Sequence, residues 1–114
     1  NVSNTHANAC SLEGGWQDFT RRLRSACAVV TTCIGAGHEM LQEAHFGWVV
    51  IDEATQATEP ASLVPLSAAG ASVATRLCLV GDPLQLPPTV LSGAARRLGL
   101  GTSLFERLAR GGME

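Results

Sequence analysis

Lysine is missing altogether: the eight basic residues are arginines, at positions 21, 22, 24, 76, 96, 97, 107 and 110. A phosphate-cradling loop of the form G-x-x-x-x-G-K-[ST] needs that lysine, so these 114 residues do not contain one. Positive charge is also scarce overall. The formal net charge of −2 excludes a free-standing protein that holds nucleic acid by phosphate attraction alone, because such binding needs a concentrated basic face. Cys10, Cys27, Cys33 and Cys78 form no C-x-x-C pair, so neither a zinc ribbon nor a disulfide framework is expected and the thiols read as reduced. His6, His38 and His45 complete no ligand pattern with them. Long apolar runs are absent too, and Asn1 to Ser11 has neither the basic start nor the apolar middle of a signal peptide. The expectation is an intracellular protein, cytoplasmic or nuclear, with no membrane contact.

What is present belongs to buried elements. With 46% hydrophobic residues, 16% charged and a mean hydropathy of +0.16, the composition is that of a packed chain of at most one core. Residues 1–25 read as a polar linker followed by a packing helix. Leu12, Trp16, Phe19 and Leu23 recur at helical steps, and Arg21, Arg22 and Arg24 lie mostly off that stripe. From residue 26 to 114, three short apolar runs each stop at small and polar residues. They are Ala26 to Val30, Trp48 to Ile51 and Leu77 to Val80. Continuous hydrophobicity rich in valine and isoleucine predicts strands covered on both faces, as in a parallel sheet.

The connections agree. Met40, Leu41 and Ala44 in His38 to Ala44 have helical spacing, and Thr58-Glu59-Pro60 has the form of a helix start, with Gly70 as its stop. Pro65 inside that segment predicts a kink or an early end. Ser103-Leu104-Phe105-Glu106 is a capping box that opens a last helix. Strands alternating with helices give an α/β fold, a parallel sheet flanked by helices.

In such a sheet, ligands collect at the carboxyl ends of the strands, and all three polar clusters fall there. Asp52 and Glu53 end the second run. Adjacent acids at that place suit Mg²⁺-nucleotide hydrolysis, Asp52 toward the metal and Glu53 as base for the attacking water. The plainer alternative is an acid that caps the next element. Gly81-Asp82-Pro83-Leu84-Gln85 ends the third run, and the Gln85 amide can both donate to a phosphate oxygen and accept from water. Otherwise it is a stiff turn with a solvent-facing glutamine. Thr31, Thr32 and Gly35 offer hydroxyls and a permissive backbone suited to a nucleic-acid strand, although Thr-Thr is also an ordinary β-favouring pair.

V-V-I-D-E-A-T-Q-A-T-E-P at Val49 to Pro60, L-V-G-D-P-L-Q-L-P-P-T-V at Leu79 to Val90 and S-L-F-E-R-L at Ser103 to Leu108 together resemble the up-frameshift and senataxin branch of superfamily-1 helicases. T-T-C-I-G-A-G at Thr31 to Gly37 is similar to that branch's strand-contacting motif. The resemblance implies a partial RecA-like P-loop NTPase domain that uses ATP and Mg²⁺ and travels on single-stranded RNA or DNA, RNA before DNA. It implies Walker B roles for Asp52, on Mg²⁺, and Glu53, as base. Gln85 would couple the γ-phosphate to the strand, with Gly81 and Asp82 shaping its loop, and Thr31, Thr32 and Gly35 would lie along the nucleic acid. The missing lysine departs from the pattern, and the expectation is that the P-loop lies upstream and the second motor domain beyond Glu114, so that this stretch is inactive alone. Two alternatives stay open: another P-loop remodelling ATPase, and a helicase-like scaffold that binds without catalysis.

Overall fold

The first described element is a helix, α1, over residues 17–25. Its polar side carries Asp18, which pairs with both Arg21 and Arg22 at the spacing of one helical turn. The computed structural model describes residues 15, 17–41, 44–68 and 76–112. The chain divides into two units, Asn1–Val30 with α1 and Thr31–Glu114 with everything else.

The second unit is built on a strand–helix–strand crossover. Parallel strands cannot be joined by a tight turn and need an intervening segment, usually a helix. Here β1 (Trp48–Ile51) pairs in parallel with β2 (Arg76–Leu79), in register from Trp48 opposite Arg76 to Ile51 opposite Leu79. The helix α2 (Glu59–Ala68) lies in the connection and packs on β1. Thr58 begins it: its carbonyl accepts from the Ser62 N–H at 3.1 Å, and Glu59 places a carboxylate in the first turn, where the helix dipole favours it.

Ahead of β1, two 3-10 turns, Gly35–Gly37 and Glu39–Leu41, bring Ala36 and Leu41 into the core, and the first packs against α2. Beyond β2 the chain forms α3 (Gly93–Ala95), which runs into a wider turn over Arg96–Leu100, where Gly99 has φ +98. Then comes α4 (Leu104–Arg110). Ser103 caps it, its Oγ accepting from the Glu106 N–H at 3.1 Å. The Glu106 side chain completes no reciprocal box and pairs instead with Arg110. α4 is tied to α2 by a fork of two bonds: Arg107 Nε donates to Glu59 Oε2 at 2.8 Å, and its terminal NH2 donates to Oε1 at 2.7 Å. These hydrogen bonds, with the charge behind them, hold the Glu59 carboxyl below the usual glutamate range and raise Arg107 further.

Four expectations change. Residues 26–30 form no strand, and Val30 is 96% exposed. A strand exists through its ladder, and the backbone bond made in this stretch, from Ala26 N–H to the Leu23 carbonyl, only closes α1. The sheet is not covered on both faces: Trp48 and Val50 are exposed, Val49 is half-buried and Ile51 buried. With the period of two along a strand, one face meets α2 and the other stays open. Within 38–44 the helix reduces to the turn Glu39–Leu41, with residues 42–43 outside the described set. Finally, α2 passes through Pro65 and continues to Ala68. Pro65 has no N–H to donate to the carbonyl one turn back, that of Ala61, and the helix continues past this one lost bond. Leu12, Trp16 and Gly70 lie outside the described residues. No helix among the described residues is long and apolar enough to cross a membrane.

Candidate functional site

The hydrogen-bond ladder runs past the carboxyl ends of both strands. Val80 N–H donates to the Ile51 carbonyl at 2.9 Å, and Ala54 N–H donates back to the Val80 carbonyl at 2.8 Å. The loop after β1 is thereby stapled to the loop after β2. Ala54 is completely buried between them, and Gly81 stands directly against Thr55. A Cβ added at Gly81 would meet the Thr55 N, Oγ1 and Cγ2 at 3.1 Å each, a tight fit that requires Thr55 to give by a few tenths of an ångström.

Asp52 and Glu53 sit on this edge with their side chains in solvent. Asp52 Oδ1 accepts from the Glu53 N–H at 3.0 Å. Glu53 has φ +52, the one non-glycine residue among the described residues in the left-handed region. Such a conformation costs roughly 1–3 kcal/mol and persists only where the surroundings over-determine it. Here Asp52 holds the Glu53 amide, and Gln56 N–H donates to the Glu53 carbonyl at 2.9 Å. The Gln56 side chain also donates to Glu53 Oε2 at 3.0 Å, which fixes the carboxylate. Gln56 went unassigned in the sequence, although its position three residues after Glu53 in a tight turn is what brings the two side chains together.

The second loop is organised by Asp82. Its Oδ1 accepts from the Leu84 N–H at 2.9 Å, its carbonyl from the Gln85 N–H at 3.0 Å, and its Oδ2 from Gln85 Nε2 at 3.3 Å. Both carboxylate oxygens are therefore engaged within the loop, and the exposed Gln85 amide is held at its tip. Pro88 and Val90, both buried, anchor the loop's far side.

Thr31, Thr32 and Gly35 meet in a cluster of their own. Thr32 Oγ1 accepts from the Gly35 N–H at 3.0 Å, at the start of the first 3-10 turn. The Thr31 hydroxyl lies over the bare Cα of Gly35, 2.5 Å from where a Cβ would be. Through Gly37 the turn reaches Val64 of α2. Among the described residues no hydrogen bond or ion pair joins this cluster to the acids or to Gln85. The threonines end no strand, contrary to expectation, and their turn packs on the crossover helix instead.

A family profile described as an AAA domain matches residues 6–93. The chain belongs to this family, on its superfamily-1 helicase branch. The chain is 45% identical over 82% of its length to "Probable helicase MAGATAMA 3" of Arabidopsis thaliana. It is 45% identical over 72% to "DNA replication ATP-dependent helicase/nuclease DNA2" of Xenopus laevis, and 44% identical over 75% to "Regulator of nonsense transcripts 1 homolog" of Drosophila melanogaster. It spans 11% of the first relative's length and 7% of each of the other two. The small parallel sheet with its helices is a partial α/β fold of that P-loop class.

The donor set at the edge fits Mg²⁺ carried with a nucleotide. That ion keeps several waters and takes one or two carboxylates plus phosphate oxygens. Asp52 offers one exposed carboxylate whose second oxygen is unengaged. Among the described residues no three His, Cys, Asp or Glu side chains form a cage for a metal, and Mg²⁺ in this mode needs none.

Proposed function

We propose that the chain supplies the hydrolytic and coupling loops of an ATP-dependent helicase or translocase acting on single-stranded nucleic acid, RNA before DNA. The observation that carries this reading is the staple at the carboxyl edge. Ile51 opposite Leu79, with Ala54 bonded to Val80 and Gly81 against Thr55, places the acidic loop and the Gln85 loop side by side.

In this reading Asp52 holds Mg²⁺, which when bound neutralises charge on the phosphate oxygens of ATP. Glu53 takes the proton of the attacking water at Oε1, since Oε2 is occupied by Gln56. The left-handed Glu53 backbone and the Gln56 bond together hold that carboxylate in place. Gln85, at the tip of a loop held by Asp82, contacts the terminal phosphate and transmits its presence. Thr31, Thr32 and Gly35 present a compact hydroxyl-bearing turn to the nucleic-acid strand. The phosphate-cradling loop and the second motor domain are contributions from outside these residues.

An ATPase assay of the full-length polypeptide tests the reading, run with no polymer, with single-stranded RNA and with single-stranded DNA. Turnover stimulated by a strand, and more by RNA, is expected. Turnover indifferent to both polymers would move the protein to the remodelling ATPases.

A further inference from the structure

Among the described residues of the second unit, three polar ones are buried: Ser62, Ser103 and Thr55. Two are satisfied. Ser62 Oγ donates to the Thr58 carbonyl at 3.4 Å, and Ser103 Oγ accepts from the Glu106 N–H. Thr55 is 5% exposed, and its Oγ1 is buried with no hydrogen-bond partner. A buried hydroxyl without a partner carries a desolvation penalty that valine, its apolar isostere, does not. Such an atom in a tightly packed place calls for an explanation beyond packing.

Its position supplies one. Thr55 stands two residues after Glu53 and one after Ala54, the residue stapled to Val80. Across the gap is Gly81, whose bare Cα admits the Thr55 side chain at contact distance. Gly81 begins the loop that Asp82 folds around Gln85. The unpartnered hydroxyl thus lies where the acidic loop and the Gln85 loop meet, the Thr55 side chain against Gly81.

We propose that Thr55 is a positioning residue that couples the Gln85 loop to Glu53, its hydroxyl taking a partner from the Gly81–Asp82 backbone when that loop shifts. The inference rests on the helicase reading above. In the arrangement seen here the hydroxyl is unpaired, and the penalty biases the junction toward a second arrangement in which it is paired. A shift of the Gln85 loop is then felt at the turn that holds Glu53, without either loop crossing the sheet edge. Thr55 touches no reacting atom and acts only through its neighbours.

The test compares Thr55→Val and Thr55→Ser in the full-length polypeptide. ATPase is measured without polymer and with single-stranded RNA and DNA, beside a thermal melt. Thr55→Val is expected to lower strand-stimulated kcat by roughly 3- to 10-fold, the fold-change one neutral hydrogen bond is worth. KM for ATP should hold, and the variant should melt at or above the wild-type temperature. Thr55→Ser, which keeps the hydroxyl, should restore stimulation. Wild-type stimulation in the valine variant overturns the proposal. So does a serine variant that falls as far as valine, or a valine variant that melts below wild type, since the hydroxyl is then only structural. The two levels separate cleanly. A wild-type protein that no strand stimulates removes the helicase reading itself, whereas a stimulated wild type with an unaffected valine variant removes only the role of Thr55.

Discussion

The two ends of one small sheet behave differently. At the amino end, Trp48 is 58% exposed and Arg76 lies over its ring at 5.4 Å, a pair of side chains in solvent. At the carboxyl end, three residues further along β1, Ile51 is 4% exposed, and beyond it Ala54 and Thr55 are buried under the second loop. The strands share one register and one hydrogen-bond ladder, so regular secondary structure alone does not account for the difference. What changes is how the backbone continues. Past Ile51 the chain keeps bonding across the sheet, through Val80 and Ala54, and a glycine lets the second loop close on the first. The extra bonds and the close contact fall beside the loops that carry Asp52, Glu53 and Gln85.

The widest gap between the ends is expected in catalysis. Glu53→Gln in the full-length polypeptide should slow ATP hydrolysis by roughly 10²- to 10⁴-fold, the contribution of a positioned base, while nucleotide binding persists. Hydrolysis at the wild-type rate would leave the carboxyl edge no more functional than the amino edge. Gln85→Ala should spare ATP binding and cut strand stimulation by roughly 5- to 150-fold, the range of a coupling between two sites. Equal stimulation in variant and wild type would detach the second loop from the first.

Smaller effects concern packing. Gly81→Ala pushes a methyl against the Thr55 backbone nitrogen and side chain, and should destabilise by roughly 1–3 kcal/mol, the usual result of overpacking. Chemical denaturation reads this directly, and adding Thr55→Ala should recover part of the loss. The Glu59 to Arg107 fork acts next, and it depends on pH. Because the Glu59 carboxyl is held below its usual range, the fork stabilises fully above the ordinary glutamate value, about 4.3. That stabilisation is lost as pH falls through the depressed folded value. Glu59→Gln should therefore melt slightly below wild type near neutrality, as expected for an exposed pair, with the gap closing in acid. A gap that persists far below the glutamate range would mean the fork is not its source. Least of all, Arg76→Ala at the amino end should remove only an exposed cation–π contact, about 0.5–1 kcal/mol, and leave ATPase unchanged. A fall in turnover would show that the two ends are not separable.

Much of the crossover is legible in the letters. The runs at 48–51 and 77–80, the helix start at Thr58-Glu59-Pro60 and the cap at Ser103 all appear where local pattern predicts them, within a residue or two. The run at 26–30 reads as a strand for the same reason, yet makes no ladder. Hydrophobicity reports what a segment would bury, and pairing depends on a neighbour it cannot name. Within the site, the order of Asp52, Glu53 and Gln85 is plain, because motif letters sit at strand ends. The left-handed Glu53 backbone, the Gln56 bond to its carboxylate and the orphaned Thr55 hydroxyl are not, since each depends on contacts across a turn or between loops.

Sequence alone determined β1, α2, β2 and α4, the family and the places where Asp52, Glu53 and Gln85 leave the strands, because those follow from side-chain period, caps and short motifs. Only the tertiary structure decided which face of the sheet is covered, that the threonine turn packs on α2 rather than extending a strand, and that Gly81 closes on Thr55. Those outcomes depend on register and van der Waals contact between separate segments of the chain, and no local pattern encodes them.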